Sequence, residues 1–260
     1  MKTRVLTAAV LIPIALLAVG CADPFPIAIL TVILCIIGFH ESANLFGRHS
    51  LVAIIAISTV AALTQKPLDP LNRCLVAGAI WLVAVWIIWV RHRTPEGRLK
   101  SAGWGTFWVA LPFVALVLLH QSGNVYPWNF KTPILLALVP IWIGDTMGIL
   151  VGMAFGKHKM APSISPNKTW EGAVGNLLGC VAGGWAVGVW VGTTPSVGIL
   201  CGLACGTFGQ MGDLFESSIK RAAGLKDSGT LLPGHGGVLD RIDSTLFAAI
   251  PVALIVFGLS

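Results

Sequence analysis

The chain has 260 residues, of which 55% are hydrophobic and only 11% charged, against roughly 25% charged in an average soluble domain. With ten tryptophans and long unbroken apolar runs, this composition excludes a soluble enzyme, a disordered chain and a disulfide scaffold, and the lack of apolar/polar alternation argues against a β-barrel. The net charge of +6 is read as a record of membrane orientation and not as nucleic-acid binding.

Apolar stretches predict about nine transmembrane helices, near 5–21, 26–39, 51–64, 75–90, 104–120, 132–152, 172–192, 195–212 and 245–260. The expected fold is therefore all-α, a polytopic integral membrane protein. No linker or low-complexity segment divides it, so 1–260 is read as one membrane domain, with N-terminal helices in 1–131 and the polar motifs in 132–260. The start, Met1-Lys2-Thr3-Arg4 and an apolar run to Gly20, is read as a retained first helix and not a cleaved signal. If that start is cytoplasmic, alternation places every Lys and Arg except Lys66, Arg73 and Lys131 on the cytoplasmic side. Such a bias supports both the span count and an inner-membrane protein with cytoplasmic active-site loops. The six cysteines lie in or beside apolar runs and are read as packing residues. Gly198, Gly202 and Gly206, four residues apart in the eighth span, predict close helix approach.

Charge is scarce enough that its clusters carry information. Asp145 lies inside the sixth span, where a carboxylate costs a few kcal/mol and by default faces a polar cavity. The loop 156–172 holds Lys157, Lys159, Lys168, two prolines and several hydroxyls, a basic and restricted segment suited to gripping phosphate. Asp213, Glu216 and Lys220 are spaced three and four apart, so a helix puts them on one face. Lys226-Asp227, a Gly-rich turn around His235 and Asp240-Arg241-Ile242-Asp243 follow. Carboxylates beside Lys and Arg suit a hard divalent cation and a polyphosphate. There is no Gly-x4-Gly-Lys-Ser/Thr phosphate loop and no evident Ser-His-Asp arrangement, which disfavours a P-loop ATPase and an acyl hydrolase.

Ser217, Ile219, Lys220-Arg221, Lys226-Asp227, Gly229, Leu232-Pro233, His235-Gly236-Gly237-Val238 and Asp240-Arg241-Ile242-Asp243 resemble, position for position, the signature of the phosphatidate cytidylyltransferases. Gly144-Asp145-Thr146 and the loop 156–172 also resemble family motifs. Asn167 is a departure, since many members carry Lys there. The resemblance rests on the C-terminal half; the first five spans match only in being apolar.

The resemblance implies a nucleotidyltransferase that moves CMP from CTP to phosphatidic acid, releasing CDP-diacylglycerol and pyrophosphate. It implies magnesium, as one ion or two, held by Asp213 and Asp240 with Asp243 and Asp145 as further ligands. Lys220, Arg221, Lys226, Asp227, His235 and Arg241 are the expected catalytic group. Lys157, Lys159, Ser165, Lys168 and Glu171 are expected to bind substrate. The bilayer is the expected partner, with no nucleic acid; monomer or homodimer is left open. Transfer to an ether or isoprenoid lipid phosphate, a CTP-dependent lipid kinase and an ion-coupled transporter are the competing readings.

Overall fold

A computed structural model describes residues 13, 17–20, 24–46, 69–122, 131–232 and 236–259. Among the described residues, seven helices are long and apolar enough to cross a bilayer. They are α1 (Pro24–Phe46), α2 (Pro70–Arg91), α3 (Pro95–Gln121), α4 (Leu135–Phe155), α5 (Trp170–Val191), α6 (Pro195–Ala222) and α7 (Leu239–Leu259). Each matches one expected span. The other two expected spans, 5–21 and 51–64, lie outside the described residues except for 13 and 17–20. The chain is a multi-pass membrane protein.

Helices α2, α3, α5 and α6 begin at side-chain caps, not where hydropathy rises. Thr94 Oγ1 accepts from Gly97 N at 3.1 Å with Pro95 in the first turn, so α3 starts well before the expected residue 104. Asp69 caps α2 and Thr194 caps α6 in the same way, each followed by Pro. At its other end α6 runs through the polar residues 213–221 to Ala222. Gly224, at φ +73°, then reverses the chain: Leu225 N donates to Lys220 O and Gly224 N to Arg221 O.

Helix α3 is the centre of the bundle, with 83% of its apolar window buried. Helices α1, α2 and α7 pack around it, and α4, α5 and α6 follow in succession beside α7. Leu82, Trp86, Met153, Leu178 and Trp185 stay exposed on the outside, where the solvent is lipid. Cys35, Cys74, Cys180, Cys201 and Cys205 are buried and unbridged, as packing residues should be.

The glycine series on α5 and α6 forms a seam in which backbones touch. A Cβ on Gly198 would lie 2.6 Å from Gly184 O, and one on Gly202 would collide with the main chain of Cys180. Neither neighbour is a side chain that can swing away. Gly202→Leu is expected to lower the melting temperature by at least about 5 °C or to prevent folding. The control is Gly258→Ala, where the nearest atom is 4.0 Å away and the melting temperature should hold. Equal melting of the two variants would contradict the seam.

Candidate active site

The ends of α2, α4 and α6 and the starts of α3, α5 and α7 meet at one end of the bundle. There Arg98 donates to Ala222 O at 2.7 Å, and His92 shares a 3.0 Å hydrogen bond with Ser218, so the α2–α3 turn braces the end of α6. Among the described residues, Arg73 and Lys131 lie toward the opposite end and the other Lys and Arg toward this one.

Lys220 is the hub. Its Nζ lies 2.5 Å from Asp240 Oδ1 and 3.3 Å from Glu216 Oε1, joining α6 to the first turn of α7. Asp240 also accepts from Ser228 N at 2.9 Å and Gly237 N at 2.8 Å, which draws the returning segment onto α7. Glu216 is fully buried, with its carboxyl against that of Asp243 from α7. Its compensation is the nearby ammonium. Asp243 is buried one turn below Asp240 and accepts from its neighbour Ser244 N.

The opposite wall begins as a loop in the sequence but folds as an antiparallel hairpin, β1 (Lys159–Ala161) with β2 (Ser165–Thr169). Two devices close it. Glu171, in the first turn of α5, reaches back to accept from Lys157 N and His158 N and pairs with His158 Nδ1 at 2.6 Å. Thr169 caps α5 by accepting from Gly172 N. Lys168 then extends from β2 to Asp213 Oδ2 at 2.6 Å, while Ser217 donates to Asp213 Oδ1. Arg221 donates to Ile164 O and Leu225 O, pinning the hairpin tip to the end of α6.

Deeper in the bundle, Gln210 Nε2 donates to Asn176 Oδ1 at 3.1 Å and Asn176 Nδ2 donates to Asp145 Oδ1 at 3.0 Å. This amide ladder crosses α6, α5 and α4. It satisfies a carboxylate near the middle of α4 without a direct ion pair.

Between these walls lies a cavity of about 860 Å³, large enough for a nucleotide-sized ligand. Asp145, Lys168, Asp213, Lys220, Asp227, Asp240, Arg241 and Asp243 all line it, so eight sequence-predicted residues converge. Trp142, Ile149 and Met153 of α4 line it too and are also exposed on the bundle's outer surface. One side of a charged chamber is thus continuous with the lipid-facing surface. Lys157, Lys159, Ser165, Glu171, Arg221 and Lys226 lie outside the lining. Glu171 and Arg221 act instead as ties for the hairpin, and Lys157, Lys159 and Lys226 are exposed. His235 lies outside the described residues. Asn167 faces the cavity, at the position where the resemblance leads one to expect Lys. Sequence reasoning passed over Asn176, Gln210, Ser228 and Glu41; for three of these, a polar side chain within an apolar helix was the available signal.

A membrane-embedded chamber with carboxylates and ammonium groups on one side and an apolar wall on the other has the chemistry to receive a phosphate-bearing amphiphile. The sequence matches the model of the cytidylyltransferase family over residues 2–259, and the chain belongs to that family. It is 37% identical over 268 residues to a phosphatidate cytidylyltransferase of Pseudomonas aeruginosa, covering 97% of this chain and 95% of that one. A Thermotoga maritima protein of the same name is 30% identical over 99% of this chain and 96% of its own. One from Mycobacterium bovis is 41% identical over 76% and 78%.

Proposed function

We propose that this protein is a phosphatidate cytidylyltransferase that transfers CMP from CTP to phosphatidic acid and releases pyrophosphate. The observation that carries this reading is the two-sided cavity, in which Lys168, Lys220 and five aspartates face a space also lined by the outer apolar residues of α4. A triphosphate suits the charged side. A diacyl lipid can keep its chains against the apolar side while its headgroup enters.

In this reaction a phosphate oxygen of the lipid attacks the α-phosphorus of CTP, forming the new P–O bond as the bond to pyrophosphate breaks. The attacking oxygen is already ionised at neutral pH, so the site needs no strong base. Lys168 and Arg241 offset phosphate charge, and Lys220, held by Asp240 and Glu216, fixes the carboxylate side of the chamber. The donor set fits magnesium: several carboxylates on facing helices, with cationic side chains between them. Among the described residues no three such groups converge on one point; magnesium takes one or two carboxylates and completes its shell with phosphate oxygens and water. Asp213 and Asp145 would hold it, with Asp243 and Asp240 as further members, although both Asp240 oxygens already accept protein hydrogen bonds. When bound, the ion would supply charge neutralisation on the triphosphate. Lys and Arg gather at the end of the bundle that holds this site, and the positive-inside bias supports reading that end as cytoplasmic, in the inner membrane.

The test is an assay of purified protein with CTP and a defined phosphatidic acid, following pyrophosphate and nucleotide-lipid together. Equal amounts of both support the reading; release of CDP with a phosphorylated lipid would replace it with a kinase. Within that assay, Lys168→Met should raise KM for CTP about tenfold with a smaller effect on kcat, the loss of one charge-assisted contact. An unchanged KM would remove Lys168 from the triphosphate site.

A further inference from the structure

Glu41 sits in α1, in the half of the chain that carries none of the family signature, and its side chain is 2% exposed. Its carboxylate is fully engaged. Oε1 accepts from Val238 N at 2.9 Å, and Oε2 accepts from Leu239 N at 2.7 Å and Ser228 Oγ at 3.2 Å. Two of these donors are amides at the start of α7, where a negative charge is favoured by the helix dipole and by unsatisfied N–H groups. One turn on, Asn44 Nδ2 donates to Ser228 O at 3.1 Å. The same carboxylate also occupies the space beside two glycines: a Cβ on Gly229 would lie 2.7 Å from Oε1 and one on Gly237 would lie 2.6 Å from Oε2.

Ser228 and Gly237 are the residues whose amides hold Asp240. The segment between α6 and α7 is therefore clamped between two carboxylates, Glu41 on one side and Asp240 on the other. Asp240 in turn fixes Lys220. We propose that Glu41 is a positioning residue for the reaction, which makes α1 part of the active-site structure. Glutamate is required because all its donors are N–H or O–H groups. The amide nitrogen of Gln would turn a donor toward a donor, and Asp falls short by one carbon–carbon bond, about 1.5 Å.

The activity arm rests on the function proposed above; a hydrogen-exchange arm does not. In full-length protein, Glu41→Gln is expected to speed amide exchange across 228–232 and 236–239 at least about tenfold while α5 exchanges as in wild type. In the CTP assay kcat per folded molecule should fall about a hundredfold, the scale of a 1 Å misplacement, with KM for phosphatidic acid within about threefold. Glu41→Asp, which keeps the charge, should recover part of kcat. Wild-type exchange in Glu41→Gln, or a lowered melting temperature with kcat per folded molecule unchanged, would overturn the proposal. Should Glu41→Gln fail to fold, Ser228→Ala removes only the hydroxyl contact; it must speed exchange and lower kcat several-fold, and wild-type values for both would overturn it. If wild-type protein transfers no CMP, the functional reading falls and exchange alone decides whether Glu41 holds the segment.

Discussion

Asp213→Asn is expected to lower kcat for CMP transfer by about a thousandfold while the protein folds and melts close to wild type. The asparagine keeps the shape of the side chain and an oxygen for Ser217, which donates to Oδ1 at 3.3 Å. What it removes is the charge that pairs with Lys168 at 2.6 Å. Losing one preorganised electrostatic group in a water-poor site costs two to three orders of magnitude in rate. If Asp213 also binds magnesium, the variant should need a higher magnesium concentration for half-maximal rate. Activity within threefold of wild type, at limiting magnesium, would remove Asp213 from the reaction.

The second large effect falls on stability and activity together. Lys220→Met leaves Glu216 and Asp240 without the ammonium that lies 3.3 Å and 2.5 Å from them. Glu216 is fully buried, with its carboxyl against that of Asp243. Removing one partner of a buried ion pair costs about 3–5 kcal/mol, which lowers the melting temperature of a chain this size by at least about 6 °C. Adding Glu216→Gln replaces one of the crowded carboxyls by a neutral amide and should restore much of the lost stability. It should not restore CMP transfer, because Asp240 still lacks its cation. A single variant that melts like wild type would show that Lys220 does not compensate these carboxylates, and a double variant that regains activity would show that it has no role at the site.

The sequence made the spans legible because hydropathy reports contact with lipid, and seven of the nine expected runs are helices among the described residues. The ends were not legible from hydropathy, since α3 starts at a Thr-Pro cap and α6 continues through Asp213–Arg221 as an ordinary polar helix. In the site, the three-and-four spacing of Asp213, Glu216 and Lys220 was enough to place them on one face. The same rotation of about 100° per residue explains why adjacent Arg221 points elsewhere, to Ile164 O. The hairpin was read as a loop because its closure depends on Glu171 folding back to His158, a contact that spans the whole turn. Asn176, Gln210 and Glu41 were visible as polar interruptions of apolar runs. Their partners lie on other helices, 31 or more residues away in the chain, so an isolated polar residue does not reveal its role.

The glycine seam between α5 and α6 bears on turnover. Where two backbones meet with no side chains between them, there is no volume to repack, and one helix cannot slide past the other in small steps. Helices α5 and α6 therefore behave as one rigid body during each catalytic cycle. The hairpin, by contrast, is fastened partly through side chains, by Glu171 to Lys157 and His158 and by Arg221 to Ile164. The seam is the fixed frame on which those ties act.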